Sequence, residues 1–128
     1  MADARPRLIV DIDGTLCPIK AADQDYAELP VDAAMLAKLA GYRDRGYAID
    51  LFTSRNMRTY GGRIGLINRH TVPALLAWLE RRKVPFDELH VGKPWPGPGG
   101  FYIDDKAVRP AEFLALEPEQ IDRLIGRE

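Results

Sequence analysis

Residues 8–16 read LIVDIDGTL. Leu8, Ile9 and Val10 form a wholly apolar run, the pattern of a strand buried in a parallel sheet. The run stops at two aspartates, Asp11 and Asp13, with Gly14 directly after them. Two like charges at the end of a buried strand repel each other unless something positive holds them. Asp-Gly is also ordinary turn chemistry, so the pair alone leaves a plain strand-to-turn reading open.

Working outward, the pattern alternates strand and helix. A strand is expected over 7–10 and a helix over 31–45, where Val31, Met35, Leu36, Leu39 and Tyr42 recur at helical spacing and Gly46 supplies a stop. A second strand is expected over 47–52 (YAIDLF). A second helix follows over 71–83, with Pro73 tolerated in its first turn. Third and fourth strands are expected over 88–91 and 101–103, and two short helices start at Pro110 and Pro118. That order predicts an α/β fold: an open parallel sheet with helices on both faces, in one domain spanning 1–128.

Such sheets bind ligands beyond the carboxyl ends of their strands. Asp11 and Asp13 follow the first strand, and Thr53, Ser54 and Arg55 the second. Gly92 and Lys93 follow the third, and Asp104 and Asp105 the fourth. Each expected strand thus delivers polar groups to one edge. Converging carboxylates become tolerable around a hard divalent cation, and Mg²⁺ prefers oxygen ligands. A cation, a lysine and hydroxyl donors beside a free carboxylate suit phosphoryl transfer, in which charge on the transferred group must be stabilised. Asp11 is placed to attack phosphorus, and Asp13 to act as acid and base.

The motifs DIDGT, LFTSRN, GKPWPG and FYIDDKAV, in that order, resemble the motif set of the haloacid dehalogenase superfamily of phosphatases. FTSRNMRTY and GKPW further resemble its small capsular-polysaccharide-biosynthesis phosphatases. The resemblance spans about residues 8–110 and implies a Rossmann-like fold. It implies Asp11 as nucleophile and metal ligand, and Asp13 as general acid and base with its backbone carbonyl on Mg²⁺. It implies Thr53, with Ser54, as donors to the phosphoryl oxygens, Lys93 as charge stabiliser, and Asp104 and Asp105 as the remaining metal residues. The activity it implies is Mg²⁺-dependent hydrolysis of a small phosphate ester, a sugar phosphate first among them, through an aspartyl-phosphate, with a place in polysaccharide biosynthesis. Segments 17–30 and 93–100 are too short for the cap domain that usually covers such sites, so the resemblance is to the capless type. Capless relatives often oligomerise, which makes a homo-oligomer the expectation.

From Leu51 to Leu79 the chain holds no acidic residue, but it holds Arg55, Arg58, Arg63, Arg69 and His70. Charge runs are commonly solvated faces. Beside a phosphate site, however, Arg55, Asn56 and Arg58 are candidates for contacting the substrate, since arginine recognises oxyanions bidentately. His70 and His90 lack metal-ligand spacing, and Trp95 and Tyr60 are packing or sugar-stacking residues. The single cysteine, Cys17, excludes an internal disulfide and reads as a small buried apolar residue. A net charge of −1 gives no global field for nucleic acid or an anionic membrane. No stretch has membrane-spanning length and no leader pattern is evident, so the expectation is a cytoplasmic protein.

Three rivals remain at this stage. A receiver-like signalling domain also combines acidic residues, threonine and lysine, but it needs an acceptor aspartate after its third strand, where this chain reads HVGK. The others are a non-catalytic phosphoryl-binding protein and a phosphatase for macromolecules.

Overall fold

A computed structural model describes residues 3–127. The chain divides into two compact units, the first ending at Trp95 and the second beginning at Pro96.

The first unit is built on three parallel strands, β1 (Arg7–Asp11), β2 (Ala48–Phe52) and β3 (Glu88–His90), in the order β1-β2-β3. Arg7 is in register with Ala48 and Asp11 with Phe52; Asp50 is in register with Glu88 and Phe52 with His90. Both expected crossovers are helical. Helix α1 (Ala33–Asp44) joins β1 to β2, and α2 (Ile64–His70) and α3 (Val72–Arg81) join β2 to β3. The Asp32 side chain caps α1 by accepting from the Met35 amide at 3.0 Å. Met35, Leu39 and Tyr42 form its buried stripe. Pro73 lies in the first turn of α3, whose buried residues are Leu75, Trp78 and Leu79.

Period-two alternation sorts the sheet into two unlike faces. Val10, Ile49 and Leu51 point one way and are buried. Arg7, Ile9, Asp50, Glu88 and His90 point the other way. Ile9 is 59% exposed, and Glu88 and His90 are exposed. This second face is polar, and Arg7 organises it. The guanidinium donates to both Asp50 oxygens at 2.8 Å and to Glu88 Oε2 at 3.0 Å. Those bonds from Arg7 hold the buried Asp50 carboxyl below its ordinary value, against the opposing effect of burial.

The segment between β1 and α1 lies against the helices. A short 3₁₀ turn, Tyr26–Glu28, contacts α3, and the Trp78 indole N–H donates to the Leu29 carbonyl at 2.9 Å.

The second unit carries α4 (Pro110–Ala115) and α5 (Pro118–Leu124), both starting at the prolines the sequence singles out. The Glu112 side chain accepts from the Arg109 amide, and the Gln120 side chain from the Glu117 amide, each at 2.8 Å. The expected fourth strand is corrected here. Phe101, Tyr102 and Ile103 form no strand and are 76%, 54% and 90% exposed. Aromatic and β-branched residues favour a strand, but a strand exists only where a ladder pairs it. Gly99 and Gly100 precede this tripeptide, and a turn follows in which Asp104 Oδ1 accepts from the Lys106 amide at 2.9 Å.

Candidate active site

The site residues of the first unit gather at the carboxyl ends of the strands. Asp11 is the last residue of β1 and stands in register with Phe52, the last of β2. Thr53 follows directly and is fully buried. Its amide donates to the His90 carbonyl at 3.0 Å, and its own carbonyl accepts from the Lys93 amide at 3.1 Å. The β2 and β3 ends are thereby laced together past the last strand residue. Gly92, at φ +81°, makes the left-handed turn that sends Lys93 back to this edge. Gly14, at φ +92°, does the same after Asp13, and its amide donates to the Cys17 carbonyl at 2.8 Å.

The two aspartates are held by different cations. Lys93 Nζ lies 3.2 Å from Asp11 Oδ1, while Thr15 Oγ1 donates to Asp11 Oδ2 at 3.1 Å. Arg55 forks onto Asp13, with one terminal nitrogen 2.7 Å from Oδ1 and Nε 3.2 Å from Oδ2. The repulsion implied by the DID sequence is therefore resolved within the first unit, one cation to each carboxylate.

Arg55 departs from its expected role as a substrate contact. It is only 6% exposed, both edges of its fork are used on Asp13, and the Tyr26 ring lies 4.0 Å from its Cζ. An arginine this far from water, with its fork occupied, supports a neighbour instead of meeting a ligand. Its amide donates to Thr53 Oγ1 at 3.0 Å, which ties that hydroxyl to the loop.

Asn56 also has internal partners. It adopts φ +61°, accepts from the buried Thr71 hydroxyl at 2.6 Å and donates to Thr59 Oγ1 at 3.3 Å. These bonds pin the loop at a conformation that asparagine tolerates better than most residues. Ser54 is half-buried, and its carbonyl accepts from the Met57 amide. Arg58 is exposed, with its Cζ 5.4 Å from the Trp95 ring centroid. Of the three arginine-loop candidates, Arg58 is thus the one whose charge faces solvent. The loop itself ends in a helix that the apolar spacing does not predict, α2, and Tyr60 stacks on His70 at 5.7 Å.

Burial, followed by the nearby Asp13 charge, pushes the Cys17 thiol up to about 12. The same two causes in the same order raise the Tyr26 hydroxyl. Both groups are neutral neighbours of the Asp13–Arg55 pair.

Asp104 and Asp105 lie in the second unit, both exposed, in the turn after Ile103. Within the first unit, the Asp11 carboxylate and the Asp13 main chain offer hard oxygen donors, the ligand type that suits Mg²⁺. A different group of potential ligands, Asp50, Glu88 and His90, lies together on the polar sheet face, and no expected site residue belongs to it. Arg7 already neutralises two of its carboxylates. The acidic residue inside YAIDLF was the sequence signal for this group, because a buried carboxylate requires a partner. Tyr26 and Thr15 also belong to the site, through Arg55 and Asp11; Thr15 carries its signal in DIDGT, a hydroxyl four residues past Asp11.

No helix among the described residues is long and apolar enough to cross a membrane. No known family model matches the chain, and no curated protein does. Among solved structures, a target protein from Vibrio cholerae is 46% identical, with a TM-score of 0.89 over 94% of this chain and 96% of that one. A chain of an RNA repair complex aligns at 18% identity over 70% of this chain and 28% of its own length. Its TM-score of 0.49 is too low to carry an argument.

Proposed function

We propose, for a chain that belongs to the same family as the Vibrio cholerae protein, a Mg²⁺-dependent phosphatase of the haloacid dehalogenase type. The observation that carries the reading is the pairing of Asp11. Its carboxylate ends a parallel strand, faces Lys93 at 3.2 Å and Thr15 at 3.1 Å, and stays a third exposed, at 33% of its side chain. A carboxylate oriented by a lysine and a hydroxyl, yet open to solvent, suits a nucleophile better than a structural anion.

In the first step an Asp11 oxygen attacks phosphorus. The bond to the ester oxygen breaks, and the leaving alkoxide takes a proton from the Asp13 carboxyl. In the second step a water attacks the aspartyl-phosphate and gives its proton to the Asp13 carboxylate. Asp11 and inorganic phosphate are released, so ester and water become alcohol and phosphate. Lys93 offsets charge on the nucleophile and on the transferred group, and Thr53 and Ser54 lie beside the strand end that binds the phosphoryl oxygens. Asp11 and the Asp13 carbonyl would hold Mg²⁺, which supplies Lewis-acid stabilisation of the phosphoryl oxygens.

The reading carries finer expectations with it. They are a single Rossmann-like domain, no cap, a homo-oligomer in the cytoplasm, and a small sugar phosphate as substrate in polysaccharide biosynthesis. Helical cover on both sheet faces is not among them, because the face of β1–β3 that carries Ile9, Glu88 and His90 is exposed.

Exposed and next to Trp95, Arg58 is the residue best placed to meet a second charged or hydroxyl group of the substrate. Hydrolysis of a panel of sugar phosphates and a generic aryl phosphate, with and without Mg²⁺, tests the proposal against an Asp11→Asn control. Metal-independent hydrolysis, or an active control, would exclude it.

A further inference from the structure

We infer that Arg55 and Tyr26 are positioning residues that hold the Asp13 carboxylate in its working orientation, an inference that rests on the phosphatase reading above. Three observations converge on it. Arg55 meets both Asp13 oxygens, at 2.7 and 3.2 Å, and a two-point fork fixes the plane of a carboxylate where a single contact would leave it free to rotate. Arg55 is itself 6% exposed and carries the Tyr26 ring at 4.0 Å, so the guanidinium is clamped between a carboxylate and an aromatic face. The third is that the clamp is assembled from three separate stretches of chain: the turn after β1, the loop after β2, and the segment before α1.

The Tyr26 segment is in turn tied down. Trp78 donates to the Leu29 carbonyl, and the Asp25 side chain accepts from the Ala27 amide. The stretch too short to be a cap therefore has a specific task. It lays a tyrosine over the cation that orients the acid and base. Each carboxylate oxygen has lone pairs beyond the one Arg55 engages. Asp13 keeps 22% of its side-chain surface exposed, which leaves it an open side from which to reach a leaving group or a water.

The test compares first-turnover rates on two esters. An alkyl phosphate needs a proton on its departing alkoxide; nitrophenyl phosphate does not. Arg55→Met should slow the first turnover of the alkyl ester by about 10²–10³-fold, within the usual range for general acid catalysis, and the nitrophenol burst by less than about threefold. Arg55→Lys keeps the charge but not the fork and should recover at most about tenfold of that loss. Tyr26→Leu leaves Asp13 and Arg55 in place and should show the same bias towards the alkyl ester, at roughly three- to tenfold. It carries the test if Arg55→Met does not fold.

Equal losses on both esters in a folded Arg55 or Tyr26 variant would mark a merely structural role and overturn the inference. So would a fully active Arg55→Lys, or a loss confined to KM, which would return Arg55 to the substrate. If the unaltered protein hydrolyses neither ester with Mg²⁺, the phosphatase reading fails and the inference falls with it.

Discussion

Gly92→Ala is the substitution whose cost can be worked out most fully from the structure. Gly92 has φ +81°, where an L side chain pays roughly 1–2 kcal/mol. A Cβ there would sit 2.5 Å from Ile64 Cδ1. That atom ends a flexible side chain which is 42% exposed, so it can move aside at the cost of an off-rotamer torsion, about 0.5–1.5 kcal/mol. Loss of chain entropy in the unfolded state offsets roughly 0.4–1 kcal/mol of this. The net expectation is a destabilisation of about 0.5–3 kcal/mol, read as a lower denaturant midpoint at unchanged slope. Ile64→Val removes the clashing methyl. In the Gly92→Ala background it should recover about 0.5–1.5 kcal/mol, while the backbone share remains. Because Lys93 is the next residue, the same variant should also lose more than about tenfold in kcat. Gly92→Ala within about 0.5 kcal/mol of the parent would refute the left-handed turn. Absence of coupling to Ile64 would refute the close approach.

Other outcomes follow from the same geometry. Lys93→Met should lower kcat by about 10²–10³-fold in steady-state assays, with thermal stability nearly unchanged because the ion pair with Asp11 is partly exposed. Arg58→Ala should raise KM for whichever sugar phosphate of the panel is hydrolysed best and spare a small aryl phosphate; equal losses on both would remove Arg58 from the substrate. Asp50, whose folded carboxyl is held low by Arg7, contributes stability that is present above its unfolded value, about pH 4. That contribution is lost as pH falls through the lower folded value, so chemical denaturation of Asp50→Asn should show a weaker acid dependence than the parent. Burial of Cys17, with its thiol near 12, predicts no reaction with an aromatic disulfide at pH about 8 until the chain unfolds.

The apolar runs made most of the first unit legible. Segments 7–10, 47–52 and 88–91 became strands because each has partners in one parallel ladder, and 31–45 and 71–83 became helices because their apolar residues recur at helical spacing. Segment 101–103 has the same side-chain preference and no ladder, and local sequence cannot distinguish the two cases. Helix α2 escaped because Ile64, Leu66 and Ile67 are interrupted by Gly65 and followed by a polar turn. Within the site, Asp11, Thr53 and Lys93 were readable from their places after strands. The role of Arg55 was not, since its partner Asp13 is 42 residues away and its ring contact comes from a third stretch of chain. Sequence spacing located the charges near one edge, but only packing determined which of them face solvent and which face each other.

The account turns on Asp11 accepting the phosphoryl group. The most direct measurement is to mix an Asp13→Asn variant with radiolabelled nitrophenyl phosphate and Mg²⁺, quench in acid, and map the labelled peptide. Label on the peptide containing residues 8–16, released by hydroxylamine and missing in Asp11→Asn, is the predicted result. Label on any other residue, or undiminished hydrolysis by Asp11→Asn, would contradict it.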